Sequence, residues 1–407
     1  MRRFIAAFVF VLLPLAAKAE TVSRWVQLGP GGAAQARVLV TDEKCPAIEI
    51  DGAQVAMQER AAPDAAFAVR LCSADLPKDA KSVSIMGAAL PVPVSAPQRI
   101  LVLGDTGCRI KGKTVQACND PAKWPFPALA ATAAATKPDL IIHVGDYLYR
   151  ESACPAGDAR CAGSPSGDDW PAWNADFFAP AAPLLAAAPM VFVRGNHEDC
   201  PRSGAGFLRL MGPNADAHMP CAHLAPYAVP IGGVTLAVMD DADAPDEVPD
   251  LRLVSEYRAD FASLAKLGTE PLWITMHRPI WGAVTGPLGL TVGGNATIIA
   301  SLDKDALKPV SLMLSGHIHA FEVLNYKGNV PPQILAGNSG DNLDPAPTDL
   351  SGIDLSGQYV TDGLARNAFG FLLMTRSDKG WNVEVHNADG ALAMTCVFAN
   401  GRVDCPK

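Results

Sequence analysis

The chain has 407 residues, of which 49% are hydrophobic and 18% charged, which is ample apolar material for a sizeable core. Its formal net charge of -9 makes it a poor partner for nucleic acid. The length suits one large catalytic domain with a smaller module beside it.

At the N-terminus, Arg2 and Arg3 precede an apolar run from Phe4 to Ala17 that closes in Ala17-Lys18-Ala19. This is the three-part pattern of a secretory signal peptide, with cleavage expected after Ala19. The run falls short of the roughly 20 residues needed to span a bilayer, so no stable membrane anchor is expected after cleavage. Three positive charges leave with the leader, so the exported chain carries about -12. A periplasmic or secreted protein is expected.

Residues 20–97 read as a small all-β module and linker. Short strands such as Ala36-Arg-Val-Leu-Val-Thr and Ser82-Val-Ser-Ile-Met are broken by Gly, Pro and Asp clusters, and the stretch Pro91 to Pro97 is rich in proline. From Arg99 onward, short apolar runs dominate: Ile100–Leu103, Leu140–Val144, Met190–Val193, Val234–Met239, Leu272–Met276, Val310–Leu314 and Gln333–Leu335. Such runs predict strands buried on both faces. Helical spacing predicts helices over Pro127–Thr136 and Val254–Leu267. The stretch from Cys154 to Trp173 reads as a surface loop. The fold class is therefore α/β, a layered sheet core flanked by helices. Its catalytic domain is expected over residues 98–345, completed by C-terminal strands in 346–407.

Ten cysteines in an exported chain predict disulfides. Close sequence neighbours suggest loops closed between Cys108 and Cys118, Cys154 and Cys161, Cys200 and Cys221, and Cys396 and Cys405. Thiolate metal ligation is disfavoured, because no C-x2-C pair occurs and the cysteines avoid the histidine motifs.

Five polar clusters follow five of the apolar runs. They are Gly104-Asp105-Thr106-Gly107, Gly145-Asp146-Tyr147-Leu148-Tyr149, Gly195-Asn196-His197-Glu198, Met276-His277-Arg278-Pro279 and Gly316-His317-Ile318-His319. The carboxyl ends of strands are where open α/β sheets gather ligands. Carboxylate, phenol, amide and imidazole together suit two hard or borderline cations held ~3.5 to 4 Å apart, a spacing that clamps phosphate and activates water. One such motif is weak, but five in order are not.

This ordered series resembles the five-block signature of purple acid phosphatases within the calcineurin-like superfamily. The wider superfamily usually has a histidine two residues after the first aspartate. Here Gly107 stands at that position, and Tyr149 is offered three residues after Asp146. The resemblance implies one metal site from Asp105, Tyr149 and His319, a second from Asn196, His277 and His317, and Asp146 bridging them. It implies Fe(III) in the first site, a divalent Fe, Zn or Mn ion in the second, and His197 as proton donor to the leaving group. The implied reaction is hydrolysis of a phosphate monoester of a small molecule by a metal-bound hydroxide. Arg278 and Arg194 are expected either to meet phosphate oxygens or to pair with structural carboxylates. The alternatives are a phosphodiesterase of the same superfamily and a noncatalytic exported protein that captures phosphate or metal.

Overall fold

The computed structural model describes residues 21–213, 220–268, 270–286, 289 and 291–406. The expected leader at 1–19 lies outside them. Strands Arg99–Leu103, Leu140–His143 and Met190–Phe192 run parallel within an eleven-stranded sheet. Thr235–Val238, Leu272–Thr275, Val310–Ser315 and Gln333–Ala336 run parallel within an eight-stranded one. All seven apolar runs are thus strands.

Side chains on these strands alternate between two cores, because successive Cβ atoms point to opposite faces. Ile100, Val102, Leu140 and Ile142 meet Leu236, Val238, Trp273, Leu312 and Leu314 of the other sheet. Leu101, Leu103, Ile141, Met190 and Phe192 face outward and are covered by helices Phe126–Ala135 and Ala182–Ala187. The outer face of the second sheet packs on helix Leu251–Leu264 through Leu253, Tyr257, Phe261 and Leu264. The result is a helix, sheet, sheet, helix sandwich. Full burial of each large apolar side chain contributes roughly 1.5–3 kcal/mol.

That last helix begins three residues before the expected Val254. Asp250 caps it by accepting from the backbone amides of Arg252 and Leu253, so the cap rather than the apolar spacing sets the start.

Residues before the proline-rich stretch are rich in strands, as expected. They do not all stand apart from the catalytic sheet. Thr21–Leu28 lies beside Met190–Phe192, and Ala34–Val40, Arg70–Asp75 and Gln58–Ala61 follow in order to the sheet edge. A separate four-stranded sheet packs Ile48, Val83 and Ile85 onto Val26, Val38 and Val40. At the other edge, Gly370–Ser377 pairs antiparallel with Arg99–Leu103, and three further C-terminal strands extend the sheet. Disulfides join Cys45–Cys72, Cys108–Cys118, Cys154–Cys161, Cys200–Cys221 and Cys396–Cys405. Among the described residues no helix is long and apolar enough to cross a membrane.

Two buried guanidinium groups fasten the N-terminal strands to the rest. Arg37 donates to the carbonyls of Leu210 at 2.8 Å and Gly212 at 2.9 Å, and Arg60 reaches Leu208 at 3.2 Å. These carbonyls close helix Gly204–Leu210, whose last turn has no intrahelical donors. Burial and the neighbouring Arg60 hold the Arg37 pKa well below its usual value. Replacing Arg37 with alanine orphans buried carbonyls and is expected to lower stability by about 3 kcal/mol, read as a fall in the urea unfolding midpoint. An unchanged midpoint would show that water satisfies the helix end.

Candidate metal centre

Asp105, Asp146, Asn196, His277 and the pair His317 and His319 each follow the carboxyl end of a parallel strand, three in one sheet and two in the other. Because both sheets present those ends on the same side, the side chains meet where the sandwich opens. Three of these residues hold left-handed backbone, with φ of 56° at Asp105, 60° at Asp146 and 70° at His317. That conformation costs of order 1–3 kcal/mol and persists only where surrounding structure enforces it.

The donors form two groups that share one atom. Tyr149 Oη lies 3.0 Å from Asp105 Oδ1, 2.8 Å from Asp146 Oδ2 and 3.0 Å from His319 Nε2. Asn196 Oδ1 lies 3.0 Å from His277 Nε2 and 2.7 Å from His317 Nδ1. Asp146 Oδ2 is also 3.1 Å from His277 Nε2, so this single oxygen belongs to both groups. Its partner Oδ1 accepts from the His197 amide at 2.8 Å. Donor atoms of Asp146, His277 and His317 all fall within 4.8 Å of one another.

Two of the imidazoles, those of His277 and His319, are turned the way a cation requires. His277 Nδ1 donates to the Val144 carbonyl at 2.8 Å and His319 Nδ1 to the Asn342 carbonyl at 2.7 Å. A carbonyl only accepts, so Nδ1 carries a proton and Nε2 faces the site, where a cation would take the place of a second proton. Burial opposes charge on His277 and His319, yet nearby carboxylates, Asp146 and Asp105 for the first and Asp341 and Asp105 for the second, raise them to about 9 and about 10. Burial, Asp105 and Asp146 push the Tyr149 phenol well above its ordinary value. The cluster is short of positive charge, and its O and N donors suit hard or borderline cations.

Glycines make the convergence possible. At Gly195 a Cβ would fall 2.1 Å from Asp146 Oδ1. At Gly107 it would fall 2.7 Å from both the Tyr149 ring and the Tyr147 carbonyl oxygen, so the absence of a side chain there is what admits the phenol. Tyr147, the other tyrosine of its motif, points elsewhere: its hydroxyl donates to the Val193 carbonyl at 2.8 Å and its ring stacks on His143.

His197 sits over the first group. Its ring lies 3.8 Å from that of Tyr149 between centroids, Nδ1 is 2.7 Å from Glu151 Oε1, and Nε2 is 3.9 Å from Asp146 Oδ2. The adjacent Glu198 does not orient it. Its carboxylate instead accepts from the amides of Tyr147 at 2.9 Å, Leu148 at 3.0 Å, Asp146 at 3.1 Å and Gly195 at 3.2 Å, fixing the turn that carries Asp146. Arg194 is directed away, to Asp240 at 2.9 Å and the Glu198 carbonyl at 2.7 Å, which is the structural pairing. Arg278 reaches the rim of the site, where it pairs with Asp246 beside His317. His223 pairs with Asp260 at 2.7 Å.

Sequence reasoning passed over several acids. Glu151 holds His197. Asp176 receives the amides of Cys108 at 3.0 Å and Tyr149 at 2.8 Å, locking two motifs together. Asp341 pairs with Arg109, whose guanidinium covers the Tyr149 ring at 4.8 Å. Single acids without a flanking motif give no signal, although Glu151 stands two residues beyond Tyr149.

Residues 98–321 match the calcineurin-like phosphoesterase family, and the chain belongs to it. This is a family built around two-metal centres, and the convergence described above lies within the matched span. Among solved structures, the purple acid phosphatase PPD1 from yellow lupin (Lupinus luteus) seeds is 13% identical, with a TM-score of 0.55 over 91% of this chain and 73% of its own. PhoD is 10% identical, with a TM-score of 0.55 over 95% of this chain and 92% of its own. Both share the fold. No curated protein matches the chain in sequence.

Gly107→Ala is expected to displace Tyr149 and reduce bound metal, measured by elemental analysis, while far-ultraviolet circular dichroism stays unchanged. Full metal content in that variant would mean that the phenol is not a ligand.

Proposed function

We propose that this chain is an exported phosphatase of the purple acid phosphatase type, hydrolysing phosphate monoesters of small molecules. The observation that carries the reading is the placement of Tyr149 Oη within 3.0 Å of Asp105, Asp146 and His319 at once. An anionic phenolate in that position suits a ferric ion. Asp105, Tyr149 and His319 would hold it, Asn196, His277 and His317 would hold a divalent Fe, Zn or Mn ion, and Asp146 Oδ2 would serve both. When bound, the two cations supply Lewis acidity, neutralise phosphate charge and acidify water.

The chain's own groups do the rest. Glu151 Oε1 faces Nδ1 of His197, and Nε2 would deliver a proton to the departing alkoxide. The Tyr149 ring beneath His197 restrains the imidazole plane. The His197 amide donates to Asp146 Oδ1 and Glu198 accepts from the Asp146 backbone amide, so side chain and backbone are both held and the shared oxygen stays between the two groups. Arg278 at the rim is the candidate for a phosphate oxygen, provided it leaves Asp246. Five disulfides support passage through an oxidising compartment.

The purified protein is expected to hydrolyse a chromogenic phosphate monoester faster than the corresponding diester and to show a visible absorption band that Tyr149→Phe removes. Turnover of the diester alone, with no such band, would point instead to a phosphodiesterase without ferric iron. Asp146→Ala is expected to lose both cations and all turnover. His197→Ala should keep the metals while kcat falls by about 10²–10⁴-fold. Metal loss from the His197 variant would make that residue a structural support.

A further inference from the structure

The two-cation reading leaves unexplained how His317 is turned correctly. His277 and His319 lean on carbonyls, but the outer nitrogen of His317 faces two groups of opposite demand. Its Nε2 is 3.2 Å from Asp246 Oδ2 and 3.2 Å from Arg278 Nη1. A guanidinium only donates and a carboxylate only accepts. If Nε2 accepts from Arg278, the ring proton must sit on Nδ1, the atom 2.7 Å from Asn196 Oδ1 that faces the site. If Nε2 donates to Asp246, the Nδ1 lone pair is free.

We infer that Asp246 is a positioning residue that selects the metal-binding tautomer of His317 against the opposing pull of Arg278. Resting on the two-cation reading, this assigns Asp246 the support of the second site only. The carboxylate is well placed for it. Oδ1 accepts from Asn295 Nδ2 at 2.8 Å, and Asn295 is buried, donates to the Ala244 carbonyl at 3.1 Å and caps helix Ala296–Ser301 through Ile298. The Asp246 carbonyl accepts from the Ala296 amide at 2.9 Å. Oδ2 also takes Arg278 Nη1, so the carboxylate meets both the imidazole and its competing donor.

The test is titration of the metal-stripped protein with Zn²⁺ by calorimetry, using a competing chromogenic chelator for tight sites. Wild type should take up two equivalents. Asp246→Ala should weaken one of them by about 10–100-fold, the usual effect of losing a ligand's hydrogen-bond support, and leave the other unchanged. Asp246→Asn, which still offers an acceptor, should lose less and guards against misfolding of the alanine variant. Removing the competitor should help: Asp246→Ala with Arg278→Ala should bind more tightly than Asp246→Ala alone. Unchanged affinity in Asp246→Ala, or no recovery in the double variant, would overturn the inference. A wild type that binds two Zn²⁺ with the selective loss in Asp246→Ala, yet hydrolyses no phosphate ester once reloaded with iron, would overturn the phosphatase reading alone.

Discussion

The centre depends on one carboxylate held in a fixed orientation. Asp146 is buried, sits in left-handed backbone and has each oxygen committed, one to a backbone amide and the other to the space between a phenol and an imidazole. Nothing on its own strand enforces this. Glu198, from a different strand end, gathers four amide donors around the turn, and Gly195 leaves the space that the Asp146 side chain enters. Burying two acids so close together is unfavourable without compensation. Protons drawn onto His277 and His319 provide it in part, and a cation would provide it more fully.

The sandwich explains why such distant segments meet. Parallel strands in both sheets point their carboxyl ends to the same side, so any residue just past a strand end is already within reach of its counterparts. The strand interiors carry apolar side chains for two cores at once, and that stiffness lets the exits hold strained turns. The N-terminal strands add breadth to one sheet, and their buried arginines tie it to the end of the helix that follows the Asn196 loop.

Much of this was legible in the sequence. Two-sided burial writes itself as unbroken apolar runs, so the seven central strands were readable, and ordered polar clusters at their ends marked the residues that converge. What escaped had no local pattern. Edge pairing of Thr21–Leu28 onto the catalytic sheet depends on a partner 163 positions away through Gln27 and Met190, which no window of sequence contains. Glu151, Asp176 and Asp246 act on groups brought close only by folding. Glu198 adjoins His197 in the chain, yet its side chain turns towards another loop. Arg194 and Arg278 look alike in sequence, each next to a motif, and only packing separates the buried pair with Asp240 from the contact at the rim.

The interlock between Gly107 and Tyr149 also constrains the order in which this chain can change. A larger residue at 107 collides with the phenol ring, and loss of the phenol leaves an unfilled gap beside two carboxylates, so neither position is free to vary first without passing through a defective intermediate. A larger side chain at 107 therefore fits only once the ring at 149 has shrunk or moved. Change at one of these two positions is thus restrained by the shape of the other.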